Sequence, residues 1–297
     1  MEKNRIIYQD PEFQDPEVAD SKERPQLKNK VLNVPYAKKT EYELMDLYFP
    51  EKGNGPFPVI MDVHGGGWFY GSRSSERMEP VLNGLGMGYA VASVDYTLSG
   101  HGQFPLQVYE LKAAIRFLRA NAENYNLDAE RIVLWGLSAG AHLSMLTALS
   151  GDDELVDLSF GNPQYSSKVA AAVALYGPVD LSLGDTRSPD SPEAKLLGTA
   201  VHNNMDLAKK ADPRSYVKLD GPPLFLQYGN ADGIVPLEHG YAIKKALSDA
   251  KREQDYFEIV DGAKHADSKF RTKENTDKIF EFINRNSQRR NNIRKGE

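Results

Sequence analysis

The chain contains no cysteine, which removes disulfides, thiolate nucleophiles and cysteine-held metals from consideration. The same absence does not separate cytoplasm from exterior, since many secreted proteins also lack cysteine. No stretch approaches the ~20 consecutive apolar residues that a membrane span requires. The opening Met1-Glu2-Lys3-Asn4-Arg5, followed by Asp10, Glu12 and Asp15, lacks the apolar segment of a signal peptide, so a cytoplasmic location is the expectation. Neither G-x-x-x-x-G-K-[ST] nor G-x-G-x-x-G opens a helix after a strand, which leaves nucleotide binding unsupported. There is no H-E-x-x-H, and the six histidines are scattered, so neither a metal nor any other cofactor is expected. A net charge of −6 argues against nucleic acid as a partner.

What is present is 297 residues, 40% hydrophobic and 26% charged, enough for one large α/β domain with a sizeable core. Residues 1–30 are polar and proline-punctuated and read as an arm. Alternation at Val31–Val34 and Tyr42–Tyr48 predicts half-exposed antiparallel strands at a sheet edge. Continuous apolar runs follow at Pro58–His64, Tyr89–Tyr96, Arg131–Leu137, Val169–Tyr176, Pro223–Tyr228 and Tyr256–Val260. Helical patterns lie between them: Val108, Leu111, Ile115 and Leu118 share one face, and further helices are expected over Leu237–Ala250 and Phe270–Ile283. The expectation is an α/β fold: a mostly parallel eight-stranded sheet with helices on both faces, spanning 31–287. Two stretches break the alternation, Asp152–Ser167 and about 181–219. The second, with short helical patches at Pro192–Leu197 and Asn204–Lys210, is the candidate for a small cap. Residues 288–297, with Arg289, Arg290, Arg294 and Lys295, form a basic tail expected to be solvated.

The run Arg131–Leu137 ends at Gly136-Leu137-Ser138-Ala139-Gly140. A strand that reverses into a helix around one residue forces that residue into an unfavourable backbone conformation and admits only small neighbours. The serine is thereby lifted at the strand's carboxyl end, above a helix N-terminus whose dipole favours negative charge. A serine hydroxyl needs a base, and the base needs an orienting group. Among the histidines, His64 opens a glycine loop and is suited to holding it, His142 points inward or caps locally, His101 and His202 sit in loops, and His239 is expected at the surface. His265, in the loop after the last strand, is left as the base, and Asp232, in the loop after the preceding strand, as its orienter. The order Ser138, Asp232, His265, each at a strand's carboxyl end, is that of an elbow-type hydrolase. His64-Gly65-Gly66-Gly67-Trp68 lets amides approach a substrate oxygen closely, so an oxyanion hole is expected from two amides of this loop and that of Ala139. Trp68, Tyr70, Tyr96 and Tyr176 follow sheet ends and are candidates for lining an acyl or sugar pocket.

Through these motifs, over roughly Leu44–Ile283, the chain resembles the α/β-hydrolase superfamily and, within it, the carboxylesterase group related to hormone-sensitive lipase. It is similar in particular to the compact bacterial branch that includes acetyl xylan and feruloyl esterases. The resemblance implies Ser138 as nucleophile, His265 as base, Asp232 as its orienter, and Gly66, Gly67 and Ala139 as oxyanion donors. Two positions depart from that branch: Ala141 stands where a glycine often follows the elbow, and Tyr228-Gly229-Asn230 stands where the strand often ends His-Gly. The expected activity is hydrolysis of short-chain carboxylic esters, acetyl above all, with a small-molecule or carbohydrate ester as substrate and oligomeric state open. The same triad would serve an amidase or peptidase, and the fold also serves as a non-catalytic ligand receptor.

Overall fold

The computed structural model describes residue 24 and residues 26–293, with side chains as far as Ser287. The expected arm, up to residue 23 and at residue 25, lies outside the described residues, as do the side chains of the expected tail at 288–297.

Eight strands form one sheet: β1 (Lys30–Pro35), β2 (Leu44–Tyr48), β3 (Phe57–Val63), β4 (Ala90–Val94), β5 (Leu127–Leu137), β6 (Ala171–Leu175), β7 (Leu224–Gly229) and β8 (Tyr256–Val260). Their spatial order is β1-β2-β4-β3-β5-β6-β7-β8; β2 runs antiparallel to β1 and β4, and the remaining pairs are parallel. The helices are α1 (Glu79–Gly86), α2 (Leu106–Ala120), α3 (Ala139–Leu149), α4 (Pro192–Leu197), α5 (Met205–Lys210), α6 (Leu237–Asp249) and α7 (Lys273–Ile293). This is the α/β-hydrolase architecture.

The two-residue period of a strand explains why both faces are covered. Val59, Met61 and Val63 of β3, with Ile132 and Leu134 of β5, enter one core, completed by Val108 and Leu111 of α2, Leu143 and Leu146 of α3 and Ile243 of α6. The intervening Ile60, Val133 and Trp135 enter the other, with Val81 of α1 and Ile279, Phe280 and Ile283 of α7. A strand buried on both sides cannot alternate in polarity, which is why these runs read as continuously apolar.

At β2 the structure differs from expectation. This strand is second from the edge and buried, and its polar residue, Asp46, is wholly buried. The carboxylate turns inward because Arg73, on the loop after β3, reaches it at 3.2 Å and also pairs with Asp95. Burial pushes the Asp95 carboxyl up to about 6, against the pull of Arg73. Replacing Arg73 with methionine leaves two buried carboxylates uncompensated and is expected to destabilise the fold by about 3–5 kcal/mol in urea unfolding. The deficit should shrink as pH falls, because the folded state then binds a proton at Asp95 that the unfolded chain does not yet hold.

The loop between α3 and β6, expected to be irregular, is held by one face of α2. Lys112 donates to the carbonyls of Gly151 and Glu154, Arg116 to those of Asp157 and Gly161, and Arg119 to those of Ser166 and Lys168. These cations lie four and three residues apart and therefore share a helix face. Two further differences concern helices: α1 was not expected, and α7 continues to Ile293 beyond the anticipated end at Ile283. Among the described residues, no helix is long and apolar enough to cross a membrane.

Candidate active site

Ser138 occupies the turn between β5 and α3 with φ 52° and ψ −119°. This left-handed conformation is costly for a residue with a Cβ, by about 1–3 kcal/mol, and persists only where the surroundings impose it. They do so through two glycines. A Cβ at Gly136 would collide with Gly140 O and Ser144 Oγ, and one at Gly140 with the carbonyl oxygens of Val63 and His64. The Ser138 amide is tied to Leu175 O of the adjacent β6 at 3.0 Å. β3, β5, β7 and β8 all run parallel, so the loops after β3, β7 and β8 open on the same side as the serine.

Those loops supply the partners. His265 Nε2 stands 2.9 Å from Ser138 Oγ, and His265 Nδ1 stands 2.8 Å from Asp232 Oδ2. The other oxygen, Asp232 Oδ1, accepts the amides of Ile234 and Val235 at 2.8 and 2.9 Å. With both oxygens engaged, the carboxylate cannot rotate, and His265 Nδ1 is held as a donor. The side chains of Asp232 and His265 are 1% and 4% exposed, which strengthens their interaction relative to water. Tyr176 packs edge-on against the imidazole, with ring centroids 5.0 Å apart. The structure thus brings together the three residues that sequence reading singled out, in a linear hydrogen-bonded chain.

Asn230, the departure from the branch pattern, has a local role. Its Nδ2 donates to Asp261 Oδ1 at 2.8 Å and its Oδ1 accepts from Gly262 N at 2.6 Å, joining the Asp232 loop to the His265 loop. Ala231 N adds a bond to Ala263 O at 3.0 Å. Ala141 is accommodated by the absence of a side chain at Gly177, where a Cβ would lie 2.7 Å from the alanine methyl.

The glycine loop passes directly over the elbow: a Cβ at Gly65 would lie 3.4 Å from Ser138 Cβ. Gly66 and Gly67 have φ 118° and 58°, and Gly66 O receives the amides of Phe69 and Tyr70 at 3.1 and 3.0 Å. Ala139 begins α3, so its N–H has no partner within the helix. Pro192, at the start of α4 in the β6–β7 insertion, stands beside this loop, since its Cβ is 3.7 Å from the position a Cβ on Gly67 would take.

The four aromatic candidates divide. Tyr70 is partly exposed, its ring 3.9 Å from that of Phe69. Tyr96 is wholly buried, stacked on His64 with its hydroxyl donating to His64 O at 3.0 Å. Trp68 is 2% and Tyr176 3% exposed. These three pack behind the loops, so their side chains support the site from within rather than lining an open surface. Sequence reading could not separate them, because exposure depends on which loop covers which ring.

Of the remaining histidines, His64 Nδ1 contacts Gly65 O at 2.8 Å, in keeping with a loop-holding part. His239, expected at the surface, is buried, its Nδ1 accepting from Val179 N at 3.1 Å; the amide comes from a distant loop that no local pattern announces. His142 is fully buried between Trp68 and Ala211. Burial pushes both down to about 4. Below about pH 6.5 the unfolded chain therefore takes up protons that the folded chain refuses. Between pH 7 and pH 5, the His142→Gln variant is expected to lose about 2 kcal/mol less urea stability than the parent, since one such proton is removed from the balance. Among the described residues, no group of three or more His, Cys, Asp or Glu could hold a metal ion.

The chain is similar in sequence and fold to named esterases. The chain is 29% identical over 239 residues to Esterase LipQ of Mycobacterium tuberculosis (strain ATCC 25618 / H37Rv), an alignment covering 79% of this chain and 56% of that protein. It superposes on a truncated form of carbohydrate esterase from gut microbiota with TM-score 0.81 and 26% identity, covering 91% of this chain and 100% of the other. A bifunctional GH43-CE protein of Bacteroides eggerthii also aligns with TM-score 0.81, at 28% identity, over 86% of this chain and 38% of that one. The chain spans about half the length of the curated relatives it matches. The BD-FAE family model matches residues 45–247, more than half of the sequence, and the chain belongs to the BD-FAE family.

Proposed function

We propose that the protein is a serine carboxylic-ester hydrolase that cleaves short-chain, acetyl-type esters through an acyl-enzyme, with carbohydrate esters such as acetylated or feruloylated xylan as the natural class. The observation that carries this reading is the continuous chain from Ser138 Oγ through His265 to Asp232. Ser138 Oγ attacks the ester carbonyl carbon while His265 Nε2 takes its proton. The tetrahedral intermediate collapses, the bond to the alcohol oxygen breaks, and the alcohol leaves with the proton from His265. Water then attacks the acyl-enzyme, giving a proton to His265, and the acid departs as Ser138 Oγ recovers that proton. Asp232 holds the imidazole in the tautomer with Nε2 free to accept and stabilises the imidazolium. The amides of Gly66, Gly67 and Ala139 are assigned to the developing oxyanion, each such donor being worth about 10²–10³ in turnover. No cofactor enters these steps.

The preference for small acyl groups follows from the short β6–β7 insertion at 181–219, read as a cap standing against the glycine loop. Tyr70 is assigned to the substrate surface, and Trp68, Tyr96 and Tyr176 to the layer behind it. Likeness to carbohydrate esterases supports the carbohydrate class. The test is a kinetic series on p-nitrophenyl esters from acetate to octanoate, beside acetylated xylan and methyl ferulate. Highest kcat/KM at acetate, with acetate released from xylan, is the expected outcome. A folded protein that turns over no ester would overturn the reading and favour amide bonds or ligand binding without catalysis.

A further inference from the structure

The glycine loop carries a tryptophan that the proposed chemistry does not use. The Trp68 indole N–H, which can only donate, meets His142 Nδ1 at 3.2 Å, with the two rings edge to face at 81°. On the other side of the imidazole, Nε2 lies 2.6 Å from Ala211 O, which can only accept. The two partners fix His142 as neutral imidazole protonated on Nε2, consistent with its depressed basicity. His142 sits on α3 four residues after Ser138, and its own amide donates to Ser138 O at 3.1 Å. Ala211 follows α5 in the β6–β7 insertion. One buried ring is therefore bonded to the glycine loop, the nucleophile helix and the insertion together.

We propose that His142 is a positioning residue that holds the glycine-loop amides in register over Ser138 and links their placement to the seating of the β6–β7 insertion. Glycines 65 to 67 have no side chains with which to fix themselves, so the loop depends on its flanking residues. Trp68 is the residue that plugs it into the core, being 2% exposed, with its carbonyl accepting Ser99 N at 2.9 Å. A misplacement of about 1 Å at an active site can cost about 10² in rate, so how firmly the donors are held bears on turnover. The functional part of this proposal rests on the ester-hydrolase reading.

His142→Leu removes both bonds, whereas His142→Gln retains an amide donor for Ala211 and an oxygen acceptor for Trp68. In His142→Leu, kcat should fall roughly 10–100-fold with KM within about twofold, and affinity for a boronic acid transition-state analogue should fall by the same factor. His142→Gln should recover most of the loss. Trp68→Phe should produce a similar loss, and the double variant no more than the worse single one. Unchanged kcat in His142→Leu, or losses that multiply in the double variant, would overturn the proposal. A readout independent of turnover comes from fluorescence, since the chain has two tryptophans. With Trp135→Phe as background, acrylamide quenching of Trp68 should rise at least twofold on His142→Leu, and unchanged quenching overturns the coupling whatever kcat does. If quenching responds but the parent protein turns over no ester, the ester-hydrolase reading fails and the coupling stands. If His142→Leu does not fold, His142→Gln against the shorter His142→Asn carries the same comparison.

Discussion

Replacing Ser138 with alanine is expected to lower kcat on p-nitrophenyl acetate by roughly 10⁴–10⁶-fold while leaving the urea midpoint unchanged. The size follows from what is lost: without Oγ no acyl-enzyme forms, and His265 has only water to deprotonate. A residual rate above that in buffer is expected to persist, supplied by the amides of Gly66, Gly67 and Ala139 proposed as oxyanion donors. The fold should tolerate the change, since alanine keeps the Cβ and the φ of 52° is imposed by the packing around Gly136 and Gly140 rather than by the hydroxyl. A fluorophosphonate that labels the parent protein should leave the variant unlabelled. Activity within tenfold of the parent would place the nucleophile elsewhere.

The second large effect is expected at Asp232, and its cause lies in the oxygen that does not touch the histidine. Asp232 Oδ1 accepts two amides, from Ile234 and Val235. In Asp232→Asn the new carbonyl oxygen must stay on those amides, because the NH₂ cannot accept from them. The NH₂ therefore turns toward His265 Nδ1 and makes it an acceptor, which moves the ring proton to Nε2. An imidazole protonated on Nε2 cannot take the Ser138 proton, and kcat should fall by about 10⁴ at neutral pH. Because the exchange is nearly isosteric, KM should change little, and stopped-flow measurement of the acylation burst should locate the loss in acyl-enzyme formation. A loss below tenfold would mean that His265 is oriented by something else.

Much of this site was legible before the structure, for physical reasons. The pentapeptide from Gly136 to Gly140 is a steric requirement written in consecutive residues, and Asp232 and His265 fall just after apolar runs that could only be buried strands. What was not legible depended on groups far apart in sequence. The charged face of α2 looks like a solvated one, and only the loop from Gly151 to Lys168, folding back across it, supplies the carbonyls that Lys112, Arg116 and Arg119 require. Asp46 reads as the outward member of an alternating strand, and Arg73 reverses that reading from the far end of another loop. Helix α1 was missed because Glu-Pro-Val-Leu-Asn-Gly-Leu-Gly has poor intrinsic propensity. Its Gly84 packs where a Cβ would lie 3.0 Å from Ile60 and 3.4 Å from Phe280, so tertiary packing overrides the local preference. His239 was misplaced for the same kind of reason: its amide partner, Val179, lies beyond another strand.

The bridge made by Asn230 bears on how the site can move. Tied by its side chain to Asp261 and Gly262, and by the neighbouring Ala231 amide to Ala263, the acid loop has lost its independence from the base loop. A shift of either loop therefore has to carry the other with it through these three bonds. The alignment of the imidazole with the carboxylate behind it is thus supported by bonds that lie outside the Ser138–His265–Asp232 chain itself.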